Sequence, residues 1–203
     1  MKKVNHWVVI SFSSAIFNLM FATAISVNVA SCGSDPDTGE ITKTSGDTAK
    51  VLSQPDVNFL TFAIETNVLE VAVGKLAQKQ GTDTEIIEMG QMLEEDHKKS
   101  LVETTKFGMA HKVEFSDELS ESNQAKYDTL EMKKGTEFDW AFCDMMVNGH
   151  KEAIAKFEAF INEGDNDKLK DWAKKTLPTL QKHLEHAEHY VSTHSNERKT
   201  VKQ

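Results

Sequence analysis

Three histidines and several acidic residues lie in stretches of helical spacing and are the side chains best suited to chemistry. The histidines are His97, His150 and His183. Glu94 precedes His97 by three residues, so both side chains leave the same face of a helix. A Glu-x-x-His pair is also the repeated ligand unit of di-iron helical proteins. Imidazole and carboxylate ligands suit iron, zinc, copper or manganese, and the pattern does not choose among these metals.

The candidate ligands lie at similar heights along their helices. With a rise of about 1.5 Å per residue, counted from the glycines that end the predicted helices, they gather within about 12 Å of one another. The spread of heights is nearly the same whether the two helical turns lie at the same end of the molecule or at opposite ends. A spread of about 12 Å is too wide for every group to touch one ion. The predicted metal ligands are His97, His150, His183 and Glu70.

Two further acidic residues are predicted to support this site without binding the ion. Asp139 lies on the same helix face as His150 but about 16 Å away along the axis. We therefore expect Asp139 and Glu94 to orient ligands, with a role at the helix start as the alternative for Asp139. The competing interpretation of all these residues is a metal-free buried hydrogen-bond network. It corresponds to a structural or protein-interaction module.

Other reaction classes have little support in the sequence. A Gly-rich phosphate loop, a Ser/His/Asp triad and a Cys-x-x-Cys pair are all absent from the sequence. A redox or hydrolytic enzyme would need an open metal position and a pocket, which leaves enzymatic activity undecided. The formal net charge of −9 argues against nucleic-acid binding.

Four long amphipathic segments must position these residues. Apolar side chains recur at helical spacing in residues 56–80, from about 83 to 111, 136–163 and about 166–195. The polar stretch between the second and third segments contains one short helical pattern, at about 124–132. We predict an all-α, ferritin-like antiparallel four-helix bundle in residues 56–195, with a longer connection between helices 2 and 3.

The N-terminus has the features of an export signal. Two lysines precede a mostly apolar stretch that ends in Val29-Ala30-Ser31-Cys32, which resembles the cleavage motif of bacterial lipoproteins. We predict a signal peptide at 1–31, a lipid on Cys32 that attaches the chain to the membrane, a flexible tether through 55 and a polar tail at 196–203. An uncleaved anchor helix is the alternative. A homodimer or an envelope protein partner is left open.

Several segments resemble a large bacterial family of exported ferritin-like domains of unknown function, often labelled predicted outer membrane proteins. The segments include Leu69-Glu70-Val71, Gly74-Lys75-Leu76-Ala77, Asp96-His97, Phe138-Asp139-Trp140, His150-Lys151-Glu152-Ala153 and Leu177-Pro178-Thr179-Leu180. The resemblance covers about residues 56–190. It implies a lipid-anchored bundle in the cell envelope, at the outer membrane and facing the periplasm. It also implies that the family's recurrent polar positions are Glu70, His97, Asp139, His150 and His183. Glu94 departs from the aliphatic residue expected there.

Overall fold

The computed structural model describes residues 51–195. They form five α-helices, and no β-strand occurs within this range. The all-α prediction is confirmed, but the helix count is five, because the connection between the second and third long helices contains a helix of its own. The helices are α1 (Gln54–Gln80), α2 (Thr84–Ala110), α3 (Glu121–Glu131), α4 (Thr136–Glu163) and α5 (Asp167–Thr193).

The predicted signal peptide, Cys32, most of the predicted tether and the tail at 196–203 lie outside the described residues. The end of the predicted tether lies inside them and is part of the folded unit. Helix α1 begins at Gln54, two residues earlier than predicted, because Ser53 and Asp56 form a reciprocal capping box. Leu52 is buried in the hydrophobic core. The folded domain therefore starts by residue 52.

The two helical hairpins, α1–α2 and α4–α5, are anchored to each other at both ends by buried aspartates. At one end, Asp56 accepts hydrogen bonds from the backbone N–H groups of Asp165 and Asn166, which open α5. At the other end, Asp139 accepts from both the backbone N–H and the hydroxyl of Thr82, in the α1–α2 turn. The two turns therefore lie at opposite ends. The chain from α2 to α4 must cross the length of the molecule, and α3 contacts α1 and α4 on the way.

Two hydrophobic clusters fill the interior above and below the middle of the helices. In each of three helices, one histidine stands between a residue of one cluster and a residue of the other. The flanking pairs are Leu93 and Leu101 around His97, Met146 and Ala153 around His150, and Leu180 and Ala187 around His183. The polar centre is thus enclosed by hydrocarbon at both ends.

Helix α1 is long and apolar enough to cross a membrane by length and composition. However, 56% of the most apolar 18-residue stretch of α1 is buried inside the folded unit. A core helix has the same composition, and the contacts of α1 with α2, α3 and α4 explain its apolar character.

Two glycines allow α1 and α2 to approach closely. A Cβ on Gly74 would lie 2.8 Å from the carbonyl oxygen of Gly90, and a Cβ on Gly90 would lie 2.7 Å from that of Gly74. Both contacts are with backbone, which cannot rotate away as a side chain can. The close approach holds α2 against α1, where His97 contacts Asn67.

We predict that Gly90→Ala lowers the free energy of unfolding by about 1–3 kcal/mol, because the helices must separate to admit the methyl group. Gly149→Ala is the matched control: a Cβ there meets only a carboxylate oxygen of Glu70, at 3.8 Å. This variant should be neutral or up to about 1 kcal/mol more stable, through helix propensity. Urea denaturation measures both values. Equal effects of the two substitutions would contradict close packing at Gly90.

Candidate metal centre

Three histidine side chains from three helices meet in the interior. His97 lies on α2, His150 on α4 and His183 on α5, and none is more than 3% exposed. One ring nitrogen of each lies within 4.8 Å of the other two. The ring centroids are 5.9, 5.3 and 5.2 Å apart for the pairs 97–150, 97–183 and 150–183. The structure therefore brings together the three histidines predicted as ligands.

Each imidazole uses its outer nitrogen in a hydrogen bond to an oxygen that only accepts. The pairs are His97 Nδ1 with Asn67 Oδ1 at 2.9 Å, His150 Nδ1 with the backbone oxygen of Met146 at 2.9 Å, and His183 Nε2 with Asp96 Oδ2 at 3.0 Å. Since an amide, carbonyl or carboxylate oxygen has no proton to give, each outer ring nitrogen must donate. With the amide oxygen of Asn67 turned toward His97, these three contacts assign the tautomer of all three rings.

The inner nitrogens are consequently bare lone pairs when the rings are neutral. They are Nε2 of His97, Nε2 of His150 and Nδ1 of His183. The last two lie 3.2 Å apart, a hydrogen-bond distance, yet neither carries a proton to share. Nε2 of His97 is buried and has no hydrogen-bond partner within residues 51–195. Three acceptors thus face one another without a donor.

Burial keeps these rings neutral. Desolvation lowers the pKa of His97 well below its ordinary value, and the neighbouring His183 and His150 lower it further. Burial likewise lowers the pKa of His150 to about 4. Burial also lowers the pKa of His183, although Asp96 opposes the shift. At neutral pH all three imidazoles are therefore uncharged, which is the form that binds metal ions.

These donors fit a divalent transition ion. Metal-binding histidines almost always donate the second ring N–H to a carboxylate, a carbonyl or water, and all three rings here have an equivalent oxygen partner. Tetrahedral ligands on bonds of about 2.0–2.1 Å lie about 3.3 Å apart. The 3.2 Å separation between His150 and His183 has this spacing.

A cavity of about 230 Å³ between α2 and α5 reaches the cluster. Two of the three imidazoles, those of His97 and His183, line it. Polar and charged side chains form most of the remaining wall, and they include Lys99, Ser100, Glu103, Lys175 and Thr179. The third imidazole, His150, does not line this cavity.

Both predicted supporting residues contact other parts of the molecule. Asp139 binds the α1–α2 turn through Thr82, which matches the helix-start alternative for this residue. Glu94 contacts Gln78 and Lys98 on the partly exposed side of α2. Neither belongs to the group of atoms within 4.8 Å that defines the cluster.

Glu70 is buried but also lies outside that group. It lines a second cavity, of about 200 Å³, together with Asn123, Lys126 and Gly149. Its Oε2 has no hydrogen-bond partner among the described residues. Burial raises the pKa of Glu70 to about 8, against a smaller opposing effect of Lys126. The carboxyl group is therefore largely protonated at neutral pH.

Sequence reasoning missed the residues that orient the imidazoles. Asn67 is thirty residues before His97, and Asp96 is eighty-seven residues before His183. One indication of a role for Asp96 was present in the sequence, because the pair Asp96-His97 is one of the segments that carry the family resemblance. Asn67 carried a weaker one: a polar residue on the apolar face of α1, three positions before Glu70.

Cys143 is buried in the core and has no disulfide partner within the described residues. Desolvation raises the pKa of its thiol, with Asp139 and Asp144 acting in the same direction. It is therefore not a nucleophile at neutral pH.

The comparisons with known proteins give a family and a similar fold and do not supply an activity. A family model described as "Domain of unknown function (DUF4142)" matches residues 42–190. No curated protein shows significant similarity to the chain. Among solved structures, the chain is similar to a DUF305 fragment from Deinococcus radiodurans, with a TM-score of 0.60 and 10% sequence identity. The match covers 70% of this chain and 99% of that one, and at this identity it shows a shared fold alone.

The protonated state of Glu70 predicts a pH-dependent effect of Glu70→Gln. The folded protein keeps this proton up to about pH 8, whereas the unfolded chain loses it near pH 4.5, the ordinary pKa of a glutamate. The wild-type protein therefore loses stability between these values as the pH rises, and the variant does not. Relative to wild type, the free energy of unfolding of Glu70→Gln should rise by up to about 1.4 kcal/mol per pH unit between these two values.

Urea denaturation of metal-free protein at several pH values measures this difference. Glu65→Gln, which removes an exposed carboxyl from the wall of the same cavity, is the control and should give a flat difference. A flat difference for Glu70→Gln as well would show that Glu70 is ionised in the folded protein.

Proposed function

Because the chain belongs to the DUF4142 family of domains of unknown function, we propose its function from the site itself: the domain binds one divalent transition-metal ion through His97, His150 and His183. The observation that carries this proposal is the hydrogen bonding of the three rings. Every outer nitrogen donates to an oxygen, and the three inner nitrogens, each with a lone pair, surround a common point at mutual distances of no more than 4.8 Å. A cation at that point supplies the one partner that all three nitrogens lack.

The metal-free network is the weaker alternative, because the network does not close. Within residues 51–195, three buried polar atoms have no hydrogen-bond partner: Asn67 Nδ2, Glu70 Oε2 and His97 Nε2. A network retained only for stability would satisfy these atoms, since each unsatisfied buried group costs about 1–3 kcal/mol. One of the three unpartnered atoms is an inner imidazole nitrogen.

Three protein ligands leave a position free on a tetrahedral ion. Closed structural zinc sites use four protein ligands, whereas catalytic sites use three and keep one position for water or substrate. The cavity at His97 and His183 favours the second class. A metal-dependent reaction is therefore the second candidate function, with Asp96 holding His183 in its binding tautomer.

We predict that untagged protein binds one Zn²⁺ per chain and gains about 2.7 kcal/mol of stability when free metal is 100 times Kd. His97→Gln should weaken binding by more than about 100-fold, because loss of an outer partner alone costs 10–100-fold. His186→Gln, which removes an exposed histidine from α5, is the control and should bind like wild type.

Isothermal titration calorimetry and elemental analysis give the affinity and the stoichiometry. Absence of binding of Zn²⁺, Cu²⁺, Fe²⁺ and Mn²⁺ in both assays would exclude the metal function. If wild type and His97→Gln bind metal with equal affinity, the metal binds at another site.

We also propose that the domain has the ferritin-like topology and is held at the cell envelope. The ferritin-like topology is supported by two features: the two turns lie at opposite ends of the domain, and the chain crosses its length between α2 and α4. Ferritin-like bundles have one such crossover. The motif that ends in Cys32 supports the second part, with a lipid on that residue and a tether before α1. The outer membrane, facing the periplasm, is the proposed location.

Metabolic labelling tests the anchor. In bacteria that express the full chain, labelled fatty acid should enter the wild type and Cys143→Ser but not Cys32→Ser. Removal of the thiol at 32 eliminates the atom that carries the lipid, whereas Cys143 is buried. Labelled Cys32→Ser, or unlabelled wild type, would contradict lipidation at this residue.

A further inference from the structure

The cavity that reaches the histidines has positive charges without partners. Of its two acidic residues, Asp96 accepts from His183, and Glu103 accepts from the indole N–H of Trp172 at 3.0 Å. Its two lysines, Lys99 and Lys175, make no hydrogen bond or ion pair within the described part of the chain. The formal charges of the cavity wall therefore balance, but among these charged groups only the two ammonium groups have no hydrogen-bond partner within residues 51–195.

A bound ion makes the net charge of the cavity positive. All three imidazole ligands are neutral, so a divalent ion keeps its full charge of +2. With three nitrogen ligands, a tetrahedral ion has one position left. The cavity borders two of the three ligands, so a fourth ligand has a route to the ion from this side.

From these observations we infer that the cavity between α2 and α5 admits a small anion, which binds the metal through an oxygen or nitrogen atom as its fourth ligand. This inference rests on the proposed metal function and deepens it by naming the ligand class. The charge of the ion and the free ammonium groups of Lys99 and Lys175 attract the anion.

The dimensions of the cavity limit the size of that anion. A volume of about 230 Å³ accommodates a few heavy atoms and some water, since one water occupies about 30 Å³ in the liquid. The hydroxyl groups of Ser100 and Thr179 lie in the same wall and offer donors to a second anion atom. Small carboxylates and azide meet these conditions.

Cobalt(II) makes the fourth position visible, because its visible absorption bands change when a ligand is exchanged. The protein is loaded with Co²⁺ and titrated with azide and, separately, with acetate. We expect saturable changes in the cobalt spectrum with each anion. Thr179→Phe, which fills the cavity, should keep the cobalt spectrum and abolish its response to azide.

The lysines are tested by the double variant Lys99→Gln/Lys175→Gln, which should weaken azide binding about fivefold or more through the loss of two exposed charges. Lys79→Gln/Lys106→Gln removes two lysines outside the cavity and should leave azide affinity within twofold. This pair of variants decides the matter even if Thr179→Phe fails to fold.

The outcomes separate the two levels of the proposal. If Co²⁺ produces no ligand-field spectrum, both the metal function and this inference are overturned. If the spectrum forms but neither anion changes it, the metal function stands and the inference is overturned. Unchanged azide affinity in the Lys99/Lys175 variant, or an intact azide response in folded Thr179→Phe, would show that the anion does not use this cavity.

Discussion

Three neutral imidazoles face one another in the interior, between two hydrophobic clusters, and each has a bare nitrogen on its inner side. This arrangement is unfavourable by itself, because acceptors that lie close together without a donor repel one another. Protonation would supply a donor, but burial opposes a charge on any of the rings. A divalent cation removes the conflict without a proton. The outer hydrogen bonds create this constraint, and the proposed metal function follows from it.

The fold keeps the constraint in place by fastening both ends of the molecule. Asp56 ties the start of α1 to the α4–α5 turn, and Asp139 ties the start of α4 to the α1–α2 turn. The close contact of Gly74 with Gly90 fixes the spacing of α1 and α2. Packed side chains above and below then leave the three rings little freedom to turn toward water. The polar residues at the ends and the hydrophobic clusters thus both hold the three imidazoles in position.

Much of this could be predicted from the sequence, because helix periodicity and end signals are local. The four long helices and the three converging histidines are of this kind. The heights of the residues could not decide the topology, because both arrangements of the turns gave nearly the same spread. Glu70 illustrates a second limit: its height was compatible with the site, but its direction around the α1 axis depends on packing. The oxygen partners Asn67 and Asp96 come from other helices, so no local pattern assigns them.

Nitrogen-15 NMR of the histidine side chains tests the central claim most directly, since it distinguishes protonated from bare ring nitrogens in metal-free protein at neutral pH. The account predicts neutral rings, protonated at Nδ1 in His97 and His150 and at Nε2 in His183. Addition of one equivalent of Zn²⁺ should then shift the other nitrogen of each ring. A proton on any inner nitrogen, or zinc-induced shifts at other histidines, would contradict the proposed centre.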